Sequence, residues 1–140
     1  MQRLALFVLF GLCLTAGIAL AQDTCPPGKV TNVQVGQGKT TITVEWTFSG
    51  DDCNTGTATT YQVLRSTSAF DEGTWGNASV VASGTPGSPG TGTCVPFDTL
   101  PCNTDYYWAV LMIDDAGNKT LSNVVHKGTK PCNAIDEVTC

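Results

Sequence analysis

Between residues 41 and 48 apolar and polar side chains alternate without a break. Ile42, Val44, Trp46 and Phe48 fall on one side, and Thr41, Thr43, Glu45 and Thr47 on the other. Successive side chains of a strand point to opposite faces, so this pattern predicts an antiparallel strand with one face buried and one solvated. A second run, 105–113, is apolar or aromatic at nearly every position, and the turn sequence Asp114-Asp115-Ala116-Gly117-Asn118 closes it. That bias predicts a buried central strand around which the other segments pair.

Weaker patterns supply the partners. Residues 30–35 predict a short first strand, and 59–66 a third, with Tyr61 and Val63 on one face and Gln62 and Leu64 on the other. Residues 78–82 predict a short edge strand. Pro96 makes 93–100 an edge strand or a bulged one. A last strand is expected over 119–126. Residues 49–56 form a polar loop, and 84–92, rich in Gly and Pro, an exposed flexible one. No segment has helical periodicity and no repeat is visible. Seven short strands spaced by turns predict an all-β sandwich.

The N-terminus adds a compartment. One basic residue, Arg3, precedes an apolar run from Leu4 to Leu20, and Ala19-Leu20-Ala21 has the small-x-small form of a cleavage site. Residues 1–21 therefore predict a secretory signal peptide. The run is near the shortest length that spans a bilayer, so an uncleaved anchor is the alternative; Gln22-Asp23 after the site favour cleavage. The remainder divides into a lead-in segment 22–29, a domain 30–127 and a tail 128–140. The net charge is −5 and the lysines are scattered. That excludes a nucleic-acid or anionic-membrane surface, each of which needs clustered cations. Of seven cysteines, Cys13 leaves with the signal. An even remainder on an exported chain predicts disulfides. No C-x-x-C pair occurs and His126 is the sole histidine, which disfavours zinc.

Several residues together resemble a fibronectin type III domain, in the secreted single-domain form found in bacteria. Trp46 lies late in the second strand and Tyr61 opens the third. Leu100 stands six positions before Tyr106, Trp108 and Val110 follow in the aromatic-x-Val pattern, and Asp-x-Ala-Gly-Asn forms the final hairpin turn. The resemblance spans 30–127. It implies a seven-stranded antiparallel immunoglobulin-like sandwich with Trp46, Tyr61, Tyr106, Trp108 and Val110 in the core. Tyr106 would send its ring inward and its hydroxyl back to the preceding connection. The six cysteines, the Gly/Pro-rich insertion and the tail depart from the family pattern, and no Arg-Gly-Asp triplet is present. The family topology places the loops at 49–57 and 114–118, the N-terminus and the strand start near Thr93 at one pole. It places 101–105 and the end of the last strand at the other. This implies bridges Cys102–Cys132 and Cys53–Cys94. Cys25 and Cys140 then either pair with each other or crosslink neighbouring molecules.

Candidate chemistry is sparse. Asp51, Asp52, Asp114 and Asp115, with Asn54, Asn118 and Asp23 nearby, offer the oxygen ligands calcium takes; a solvated pair and an ordinary turn are the alternative. In the central run Tyr107, Ala109, Leu111 and Ile113 face outward beside Leu64. Either the tail or the segment 67–83, with Phe70 and Trp75, covers them, or Leu64, Tyr107, Leu111 and Ile113 form an interface. Trp75 could stack on a sugar ring or plug the sheet. His126 reads as a surface residue. Two sequons, at Asn77 and Asn118, matter only in a eukaryotic secretory host. No nucleophile elbow, metal-binding histidine pair or phosphate loop occurs. The expectation is a secreted, non-enzymatic extracellular interaction or structural module that could self-assemble into a fibre or surface layer. A carbohydrate-binding module and a calcium-stabilised adhesion module are the alternatives. Calcium is the one cofactor considered. Partners would be a protein, a second copy or a polysaccharide.

Overall fold

A computed structural model describes residues 23–53, 55–135 and 140; the expected signal peptide lies outside them. The strands, in chain order, are β1 (Gln34–Gln37), β2 (Ile42–Thr47), β3 (Thr60–Ser66), β4 (Ser79–Gly84), β5 (Gly92–Phe97), β6 (Tyr107–Ile113), β7 (Lys119–Leu121) and β8 (Val125–His126). They make a three-stranded sheet, β1-β2-β5, and a five-stranded sheet, β4-β3-β6-β7, with β8 also paired to β6. Every pairing between these strands is antiparallel.

The period-two pattern decides how the sheets meet. Ile42, Val44, Trp46 and Phe48 are buried on the inner side of β2 and its extension. They face Val63, Trp108, Val110 and Met112 of the larger sheet across a single core. Tyr61 is half-buried at its margin, its ring 5.2 Å from that of Trp46. Tyr106 enters the core just before β6, edge-on to Trp108 at 5.8 Å. The Arg65 guanidinium lies 5.2 Å from the Tyr106 ring centroid. Burying each large apolar side chain of this set contributes about 1.5–3 kcal/mol.

There are eight strands rather than seven because the expected last strand divides. At Ser122 the hydroxyl, rather than the next main-chain carbonyl, accepts the Val110 amide hydrogen, at 2.8 Å. Asn123 then turns to the N-terminal segment. Its amide side chain accepts from Val33 N–H at 3.0 Å and donates to Val33 O at 3.1 Å. Strand β1 accordingly begins at Gln34, and residues 30–33 are pinned by Asn123 instead of a ladder. The Gly/Pro-rich connection is also more fixed than its composition predicts. Pro86 is buried, Phe48 lies against Gly87, and the Gly90 amide donates to Phe48 O at 2.9 Å.

The outward face of β6 is covered from within the chain. Leu64, Ala109, Leu111, Leu121 and Phe70 form a second buried cluster, with Trp75, Tyr107 and Ile113 packed around it. Leu64 and Leu111 are each 1% exposed, which corrects their assignment to an interface. Tyr107 and Ile113 keep partial exposure, Tyr107 stacked on His126 at 4.4 Å. The segment after β3 supplies the cover.

The disulfides are Cys25–Cys53, Cys94–Cys140 and Cys102–Cys132. Two of the implied pairings are corrected. Cys94 stands opposite Glu45, on the outward face of β5, and so cannot point into the loop that carries Cys53. That loop folds toward the N-terminal segment instead, where the Cys53 amide donates to Pro26 O at 3.2 Å. The tail does turn back, pinned by Lys130 N–H to Gly38 O at 2.7 Å, and Cys140 ends on Cys94 rather than Cys25.

Candidate functional site: an acidic pole and an adjoining groove

The ends of β2 and β6 lie at one pole, and two loops and the N-terminal segment meet there. The turn after β6 is built around Asp114, which is 3% exposed. Its two carboxylate oxygens accept from the backbone and side-chain amides of Asn118, both at 2.7 Å. Gly117 takes a left-handed backbone (φ 86) that closes the turn. The Asn118 side chain also donates to Asp23 O at 3.3 Å, tying the N-terminal segment to the turn. The loop after β2 is fixed from the other side by Cys25–Cys53, with Cys53 itself in a left-handed conformation (φ 53).

These ties converge carboxylates. Asp23, Asp114 and Asp115 place carboxylate oxygens within 4.8 Å of one another. Asp51 and Asp52 belong to the same electrostatic group. Burial, then the charges of Asp52, Asp114, Asp115 and Asp23, push the Asp51 carboxyl above its ordinary value. The Asp23 charge, foremost, does the same to Asp52. One Asp51 oxygen, Oδ1, is buried without a hydrogen-bond partner. Of the aspartates expected from the sequence, Asp114 and Asp115 lie within this distance together with Asp23, while Asp51 and Asp52 are linked to them by charge. Asn54 lies outside the described residues.

Along the outer side of β7 a groove of about 470 Å³ is lined by Lys29, Asp71, Glu72, Leu121, Asn123 and Val124, among others. It shares Glu72 and Leu121 with a second hollow of about 220 Å³, bounded by Trp75, Leu111, Lys119 and Thr120. Lys29 and Glu72 form an ion pair at its edge. Trp75 opens a 3₁₀ turn (Trp75–Asn77). It is held there by Asp71, whose carboxylate accepts from Thr74 Oγ1 at 2.8 Å and from Gly73 N–H at 2.9 Å. The Thr74 hydroxyl bond, with that amide, holds the Asp71 carboxyl below its ordinary value. Lys119 Nζ sits 5.2 Å from the Trp75 ring centroid. The groove was missed in the sequence because its two walls, 71–75 and 119–124, become neighbours only through the cover over β6.

No protein-family model matches the chain, and no curated relative matches it. Solved structures do. The sixth fibronectin type III domain of human fibronectin type III domain containing protein 3 matches with a TM-score of 0.57 at 21% identity, over 82% of this chain and 96% of that one. The fold is fibronectin type III-like. Domains A168–A170 of titin match at TM-score 0.52 and 20% identity, over 75% of this chain and 32% of theirs. Pectate lyase Pel3 from Pectobacterium carotovorum matches at TM-score 0.54 and 15% identity, over 78% of this chain and 29% of its own. At these identities the likeness establishes architecture alone, and function rests on the sites.

Proposed function

We propose that the chain is an exported, non-enzymatic interaction module of the extracellular space whose contact surface is the acidic pole, and that the cation this pole takes is calcium. The carrying observation is the convergence of Asp23, Asp51, Asp52, Asp114 and Asp115 from three separate segments. Gathering like charges raises the energy of the folded chain. An arrangement that opposes folding, yet is held by a disulfide and by Asn118, is accounted for by a cation that offsets it. Calcium takes six to eight oxygen ligands from flexible loops, and carboxylates at this spacing supply several. The unpartnered Asp51 Oδ1 adds an acceptor without a donor. Bound calcium would fix the pole and complete a surface that a protein partner reads.

Export is supported by three intrachain disulfides and by the N-terminal sequence. No helix among the described residues is long and apolar enough to cross a membrane. Crosslinking into a fibre through Cys25 and Cys140 loses support, since each is engaged within the chain. Isothermal calorimetry of the metal-free protein with calcium tests the proposal. A saturable heat that weakens at least fivefold in Asp115→Asn is expected. Absence of heat with calcium in excess contradicts it.

A further inference from the structure

We propose that the groove along β7 binds a neutral saccharide. This goes beyond the cation reading of the pole. The combined hollows have the size of a small-ligand site, and their lining has the chemistry a sugar requires. Val124, half-buried at the wall, offers apolar contact to the C–H face of a pyranose ring, over a floor formed by the buried Leu111 and Leu121. Trp75 is half-buried at the surface, whereas Trp46 and Trp108 are 3% and 0% exposed, so it is the tryptophan free to meet a ligand. The Asp71-Thr74 turn fixes it before any ligand arrives.

The charge on the rim selects the class of ligand. Lys29 and Lys119 balance Asp71 and Glu72, so the groove has both donors and acceptors and no net charge. That suits a neutral polyhydroxylated ligand better than an anion or a cation. Lys119 over the Trp75 ring contributes only about 0.5–1 kcal/mol at an exposed site, so a sugar C–H face can displace it. An extended peptide is a poorer fit. The main chain just after β7 is already used, the Asn123 amide donating to Val30 O at 3.2 Å, which shortens the edge an added strand could pair with.

The test is native electrophoresis of the full secreted chain through gels containing a soluble β-glucan, a xylan or a galactomannan, with polygalacturonate as the charged control. Retardation by at least one neutral polysaccharide is expected, unchanged by chelator, abolished in Trp75→Ala and reduced at least fivefold in Glu72→Ala. Glu72 is an exposed rim residue, so the second variant reports on binding even if loss of Trp75 disturbs the cover. Unchanged mobility in all three neutral gels overturns the proposal. So does retardation by polygalacturonate alone, or retardation that survives both substitutions.

Discussion

At Asp51 one carboxylate oxygen is buried and unpartnered while the charges of Asp52, Asp114, Asp115 and Asp23 press on it. A carboxyl whose folded pKa lies above its unfolded one binds its proton more tightly when folded. Its stabilising contribution is therefore complete below the unfolded value and is lost as pH rises through the raised one. In the metal-free protein Asp52→Asn is expected to raise the melting temperature at neutral pH by a few degrees at most. The gain should vanish below about pH 4, where the wild-type carboxyl is itself neutral. Asp71 runs the opposite way. Its lowered pKa gives the Trp75 turn support that is present above the unfolded value and lost as pH falls through the folded one. Quenching of the Trp75 emission by acrylamide should accordingly increase on acidification, while that of Trp46 and Trp108 stays low. At this scale the sequence was informative about which aspartates share a pole. It placed Asp23 only nearby, because its position depends on a bond from Asn118, a residue 95 positions away.

The element that organises the molecule is β6, and its two faces differ in how far the sequence reveals them. Trp108 and Val110 are legible as core through the resemblance to the fibronectin type III pattern. Leu111 and Ala109 are legible as apolar and outward, but what covers them is not. The segment 67–78 has no period to read, and Phe70 joins Leu111 in the buried cluster just ahead of the turn that Asp71 and Thr74 form. If that cover is structural, Leu111→Ala lowers the unfolding free energy by about 2–5 kcal/mol and Phe70→Ala by about 3–5 kcal/mol in urea titrations. Were the face an interface, either variant would leave monomer stability intact and change self-association instead. The division of β7 from β8 was equally hidden. Ser122 and Asn123 are unremarkable strand residues until their side chains take over main-chain hydrogen bonds.

For the whole molecule, sandwich form follows from alternating strands spaced by turns and its topology from the fibronectin type III resemblance, whereas disulfide pairing depends on how loops bend. Cys94 is a case of parity: its place opposite Glu45 fixes its direction, and only the paired register reveals it. Peptide mapping without reductant should recover Cys25–Cys53, Cys94–Cys140 and Cys102–Cys132, and non-reducing electrophoresis a single monomer band. Bridges spanning 28, 46 and 30 residues each restrict the unfolded chain by about 3–4 kcal/mol. Cys25–Cys53 has a further consequence, because it holds the loop of Asp51 and Asp52 against the segment of Asp23. The most direct test is thermal unfolding of the chelated protein at neutral pH and low ionic strength, titrated with calcium. A ligand that binds only the folded state adds about 2.7 kcal/mol at one hundred times its dissociation constant. The pole as described predicts a melting temperature that climbs by several degrees with calcium and returns to its starting value on chelation. A melting temperature indifferent to calcium would contradict it.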